Sequence, residues 1–260
     1  MSHYIVAVIT QDGTIEEIES LLAPFDENIS VDEYIGRTKE QMSKDGKNFK
    51  NDCLKKIKKA KKKELIQFLT DEHYDYMRKC LNLKTDEDFY NYQKRPGYNY
   101  DSDGNELTTY NPDSKWDWYD IGGRWDGLLK DKNGNHFNSV QLKDLDTSPT
   151  KEEIENAKNF WEVVVEGKPT LEKEKFWSIY SKDYFLENYQ TKENYIKETT
   201  SFTTYALLTP DGKWLEPGKM GWWGISLATK EDEKNWYQNF ETLLKSFDQD
   251  YYITIVDCHI

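Results

Sequence analysis

The sequence predicts an α+β protein: a helix-backed antiparallel or mixed sheet carrying a large helical insertion, with a ferredoxin-like arrangement as the topology that fits best. Three observations lead there. Both ends of the 260-residue chain are runs rich in β-branched residues, "HYIVAVIT" and "YYITIVDCHI". Each keeps company with a stretch of helical period, "IEEIESLLAPF" after the first and "KEDEKNWYQNFETLLKSF" before the last. Between them stand Asn-Gly and Asp-Gly steps flanked by apolar residues, which is the chemistry of tight hairpins. One α+β domain over 1–260 is expected, with a basic helical insertion at 48–81 and a tyrosine-rich insertion or cap at 145–200.

The elements follow in order. Thr14 and Glu17 make a capping box for the first helix, and Ile15, Ile18, Leu21 and Leu22 give it an apolar stripe, with Pro24 close to its end. Residues 48–81 are lysine-rich and helical in period, with Leu54, Ile57, Leu65, Phe68 and Leu69 as a partial apolar face. The run "KKIKKAKKK" at 55–63 reads as a solvated helix face in preference to an anion site. "DSDGNE" lacks the twelve-residue spacing of an EF-hand calcium loop and is read as a turn or hairpin. "RWDGLLKDKNGNHFNSVQL" is read as two strands joined at "KNGN", "SPTKEEIENAKNF" as containing a helix start, and "WEVVVEG" as a strand. The tyrosine-rich stretch that follows is helical in places. "FTTYALLTPDGKWLEPG" gives a strand, an Asp-Gly turn and a short second strand, and "MGWWGISL" is extended. The last helix offers Trp236, Phe240, Leu243, Leu244 and Phe247 to the core.

Composition narrows the class. Only 37% of residues are apolar, yet eighteen tyrosines, eleven phenylalanines and nine tryptophans supply large buried areas, so a sizeable core is expected. A net charge of -13 repels nucleic-acid phosphates and anionic membranes and attracts basic partners. Cys53, Cys80 and Cys258 are odd in number and widely spaced, against a disulfide framework or thiolate cluster. The opening "MSHYIVAVIT" reads as a strand and not a signal peptide, and no run has the length of a membrane span. The expectation is a cytoplasmic protein without membrane contact or cofactor, in which direct nucleic-acid binding is disfavoured.

The densest chemistry lies in "SKWDWYDIGGRWDGLL", residues 114–129. Gly122 and Gly123 permit a bend, a positive φ or a close backbone approach. Arg124 is placed to reach a carboxylate, a phosphate or an aromatic face. Strand alternation would put Trp116, Trp118 and Asp120 on one face, with Trp125 beyond the bend. Core packing with a buried salt bridge from Arg124 to Asp117, Asp120 or Asp126 is the plain alternative. The site reading is an aromatic-lined surface with Trp118, Tyr119, Asp120, Gly122, Gly123, Arg124, Trp125 and Trp223 as ligand-binding residues and Arg124 as the anionic anchor.

"LLAPFDEN", "WDWYDIGGRWDG" and "MGWWG", in that order after an N-terminal strand, resemble a group of bacterial and bacteriophage proteins to which no activity is attached. The resemblance covers the ends and the central motif. It implies no catalytic residues, and it raises the expectation of a phage-encoded accessory or host-takeover role.

Catalytic constellations are sparse. His3 and His259 are expected to fall at opposite ends of the sheet and so to make a poor joint site; His73 and His136 lie in a helical region and beside a turn. No HExxH, P-loop or dinucleotide fingerprint occurs. Asp257, Cys258 and His259 are successive, so alternation separates their side chains, and Cys258 reads as a small buried hydrophobe. The leading expectation is a non-enzymatic binding protein that inhibits a host protein or sequesters a small anionic, nucleotide-like ligand, with a homo-oligomer as one form it could take. The alternatives are a hydrolase using paired carboxylates such as Asp117 and Asp120 near Arg124, and a structural or assembly protein.

Overall fold

The computed structural model describes residues 2–170, 176–219 and 226–260. In chain order the elements are β1 (His3–Thr10), α1 (Ile15–Leu22), β2 (Tyr34–Arg37), α2 (Lys39–Lys59), α3 (Lys62–Thr70), α4 (Asp75–Leu81), α5 (Asp86–Gln93), β3 (Asn99–Tyr100), β4 (Glu106–Thr108), β5 (Trp118–Ile121), β6 (Leu129–Lys130), β7 (His136–Phe137), β8 (Ser139–Gln141), α6 (Lys151–Val164), α7 (Lys182–Tyr189), α8 (Lys192–Thr200), β9 (Ala206–Leu208), β10 (Trp214–Leu215), α9 (Lys230–Lys245) and β11 (Tyr252–His259). This is a mixed α+β fold with substantial helical content. It divides into two compact units, one of residues up to Asn28 together with Asp113–Ile260, the other of Ile29–Pro112.

The first unit is organised by β1. Val6, Ala7, Val8 and Ile9 are all fully buried, so the strand is apolar on both faces, as a central strand must be. It pairs antiparallel with β11 over its whole length, from His3↔His259 to Thr10↔Tyr252, and parallel with β9. The sheet order is β10-β9-β1-β11-β5, with β8 also on β11. A ferredoxin-like split β-α-β would place the second hairpin strand between the two parallel ones. Here β9 lies directly beside β1 and β10 takes the edge. The burial explains the order: all three residues of β9 are buried, whereas the two of β10 are only partly so.

Alternation along β1 and β11 sorts two cores. Tyr4, Val6, Val8, Val256 and Cys258 pack with Ile18 and Leu22 of α1. Ala7, Ile9, Ile253 and Ile255 pack with Phe240 and Leu244 of α9. Each such large side chain contributes about 1.5–3 kcal/mol when fully buried. Thr14 caps α1 by accepting from the Glu17 N–H, but Glu17 turns its carboxylate back to the N–H groups of Gln11 and Asp12, fixing the β1–α1 turn without closing the box. Ile15 faces solvent, so the stripe narrows to Ile18, Leu22 and the partly buried Leu21.

Residues 161–164, expected as the strand "WEVVVEG", instead continue α6. Trp161 and Val165 recur at i, i+4 and are buried together with Phe185 of α7 and Tyr195 of α8, so helical packing overrides the β-branched run. The hairpin expected at "KNGN" is present, β6 pairing with β7 in the register Leu129↔Phe137 and Lys130↔His136. "MGWWG", including Trp222 and Trp223, lies outside the described residues.

In the second unit a three-stranded sheet, β2-β4-β3, accompanies helices α2 to α5. "DSDGNE" forms the β3–β4 hairpin, Asp101 accepting from the N–H groups of Asp103 and Asn105. The seven lysines of 55–63 are solvent-exposed along the end of α2 and the start of α3. Glu106 is completely buried, its carboxylate accepting from Arg37 Nε (3.1 Å) and Nη2 (2.8 Å) and from Arg95. No helix among the described residues is long and apolar enough to cross a membrane.

Candidate functional site

The edge of β11 is shared by two short strands. β5 pairs with Val256–His259 and β8 with Tyr252–Thr254. They meet at Ile255, whose C=O accepts from Gly122 N–H and whose N–H donates to the Asn138 C=O, both at 2.8 Å. Residues 123–137 therefore leave the sheet and return to it at one point. The departure requires glycine: Gly122 and Gly123 have φ of 78° and 48°. A Cβ on Gly123 would stand 2.5 Å from the Asp257 Cβ, so the turn lies against that side chain.

Antiparallel register then assembles a cluster. His3, His259 and Trp118 are cross-strand neighbours on β1, β11 and β5. Side chains directly opposite in a ladder share a face. Trp118 stacks on His259 with centroids 5.1 Å apart and 17° between planes, and His3 meets both rings edge-on, at 5.2 and 5.1 Å. The expectation that the two histidines sit at opposite ends is overturned: antiparallel pairing places the first residue of one strand against the last of the other.

Each imidazole is held by its own carboxylate. His3 Nδ1 lies 2.8 Å from Asp257 Oδ1, and His259 Nδ1 lies 2.5 Å from Asp117 Oδ1. An ionised carboxylate only accepts, so both Nδ1 atoms carry the proton and each ring keeps Nε2 for something else. Asp257, only 2% exposed, accepts a second bond from the Arg124 N–H at 3.0 Å, tying the turn to the cluster. His259 is 3% exposed, and its Nε2 is buried without any hydrogen-bond partner. Such an atom costs about 1–3 kcal/mol in a fold that could otherwise satisfy it.

The motif residues are distributed, not gathered. Trp118, 45% exposed, lies on the same strand face as Asp120, also exposed. Trp116 does not join them: it precedes β5, bridges to Asp26, and is buried on the α1 side, where its Nε1 donates to the Leu22 C=O. Tyr119 packs against that same α1-side core, edge-on to Trp116. Trp125 is packed against the α9-side core. The internal arginine–carboxylate network is not formed. Asp117 binds His259 and Asp126 accepts from Asn138 Nδ2, while the exposed Arg124 guanidinium has no ion-pair partner among the described residues. A cavity of about 280 Å³ opens against Ile5, whose strand partner is Asp257, but its lining, with Thr204, Tyr205 and Trp236, contains none of the motif tryptophans. Trp118 and Arg124 are both solvent-exposed.

Among the described residues no group of three His, Cys, Asp or Glu converges to hold a metal ion. No family model matches the chain, and neither curated proteins nor solved structures give a match. His3, His259 and Asp257 were outside the candidate set drawn from the sequence. The signal that could have found them is the pair of terminal strands itself: if they pair antiparallel in full register, the first residue of β1, His3, meets the last of β11, His259.

Proposed function

We propose that the chain binds a small anionic ligand bearing a planar ring, a nucleotide being the simplest such molecule, on the face formed by Trp118, His3 and the Gly122–Arg124 turn. One observation carries this reading. In a chain of net charge -13, with Asp117, Asp120 and Asp126 all within a few positions, the Arg124 guanidinium is exposed and unpaired among the described residues. An arginine that its own carboxylates leave free can bind an external phosphate or carboxylate bidentately. The half-exposed indole of Trp118 offers a stacking surface for a ring. Tyr119 and Trp125, packed into the two cores, serve the site by supporting the strand and the turn. The resemblance of the motif to bacteriophage proteins supports a setting in which such binding removes a nucleotide-like signal or blocks a host protein.

Calorimetric titration of the protein with AMP tests the reading. Arg124→Ala and Trp118→Ala should each weaken binding tenfold or more, about 1.4 kcal/mol, with the circular dichroism spectrum unchanged. Wild-type affinity in Arg124→Ala would show that the anion is held elsewhere.

A further inference from the structure

We infer that this site is catalytic: resting on the nucleotide-binding reading above, His3 and His259 act as general base and general acid in hydrolysis of a phosphodiester carried on a nucleoside. The inference departs from a purely non-enzymatic role and rests on the two dyads. A carboxylate on Nδ1 fixes the tautomer, orients the ring and stabilises the imidazolium that forms when Nε2 takes a proton. One such pair is common as structure. Here two occur, on adjacent strands, with ring centroids 5.1 Å apart and separate carboxylates, Asp257 and Asp117. Two imidazoles within reach of one group can remove a proton on one side and deliver one on the other.

The second observation is the buried, unpartnered Nε2 of His259. A purely structural histidine at 3% exposure would be expected to satisfy both nitrogens. What covers this ring is Trp118, which makes ring contacts but no side-chain hydrogen bond among the described residues. No hydrogen bond of its own among the described residues holds the indole over the face of the His259 ring, so it is free to turn aside and re-stack on the incoming base. Arg124, tied by its backbone N–H to the carboxylate that holds His3, sets its guanidinium free to meet the phosphoryl oxygens.

The reaction consumes one water. His3, the more exposed ring, takes a proton from water through Nε2 as the water oxygen bonds to phosphorus. The bond from phosphorus to the leaving ribose oxygen breaks, and protonated His259 gives that oxygen its proton. Phosphodiester and water yield a phosphomonoester and an alcohol, and proton exchange with solvent resets both rings. Asp257 and Asp117 are positioning residues throughout.

The test follows 2′,3′-cyclic AMP and 3′,5′-cyclic AMP by ³¹P NMR with the full-length protein in EDTA, alongside AMP titration. Conversion of either to a monophosphate is expected, falling about 100-fold or more in His3→Ala and in His259→Asn. Because the His259 variant could fail to fold, His3→Ala carries the decision: added imidazole should restore part of its turnover, a response no structural role would give. AMP binding without hydrolysis of either ester would overturn the catalytic inference and leave the binding reading standing, as would hydrolysis indifferent to His3→Ala. Absence of both binding and hydrolysis would overturn the two together.

Discussion

Asp257 holds two elements at once: its Oδ1 lies 2.8 Å from His3 Nδ1 at the start of the chain, and its Oδ2 accepts from the Arg124 N–H at 3.0 Å. A single buried carboxylate thus joins the first strand, the last strand and the glycine turn. Asp257→Ala strands two donors, one of them a backbone N–H. Each unsatisfied buried donor costs about 1–3 kcal/mol, so urea unfolding at pH 7 should show a loss of about 2–6 kcal/mol. The Arg124 anchor should loosen with it, weakening AMP binding in the part of the population still folded.

Gly123→Ala should act on the same contact from the other side. Its φ of 48° is unfavourable for alanine, and the added Cβ collides with the Asp257 side chain. A destabilisation of about 1–3 kcal/mol is expected by thermal or chemical unfolding. Gly134→Ala, which has a positive φ but open space around it, should cost less than Gly123→Ala in the same assay.

These relationships show which features of the sequence could be read and which could not. The terminal strands, Thr14 as a cap, the "KNGN" hairpin and the core face of α9 follow from local periodicity and turn chemistry, and they stand as expected. Pairing direction and strand order are not local. The expectation of opposite ends misapplied strand geometry: antiparallel pairing in full register brings the first residue of β1, His3, against the last of β11, His259. Alternation failed for Trp116 and Trp118 because Trp116 sits in a bridge to Asp26 before β5 begins, so the two residues do not share one regular strand. "WEVVVEG" misled because β-branched content is a weak prior when an i, i+4 pair such as Trp161 and Val165 has a helical core to enter.

Glu106 should make the second unit acid-sensitive. Arg37, followed by Arg95, holds its carboxyl at about 2, well below its ordinary 4.5. A depressed folded value means the contribution is complete above about 4.5 and is lost as pH falls towards about 2. Glu106→Gln should cost about 2 kcal/mol at pH 7, less than the roughly 3–5 of a fully buried pair because Arg95 is partly exposed. The gap between wild type and variant in urea midpoint should close across that acid range.

The three cysteines should be silent in the native state. Cys53, Cys80 and Cys258 are buried, and burial pushes each thiol up from its ordinary value. Titration with Ellman's reagent at pH 7.5 (about one unit below the free-thiol range) should therefore be slow in native protein and report all three thiols in guanidinium. Rapid labelling of Cys258 without unfolding would contradict the packing of β11 against α1.

The most direct measurement is a crystal structure of the protein with AMP at saturating concentration. The binding account predicts the adenine ring stacked on Trp118 and the phosphate paired with the Arg124 guanidinium, beside His3. AMP seated elsewhere, with Trp118 still stacked on His259 and Arg124 unpaired, would contradict it.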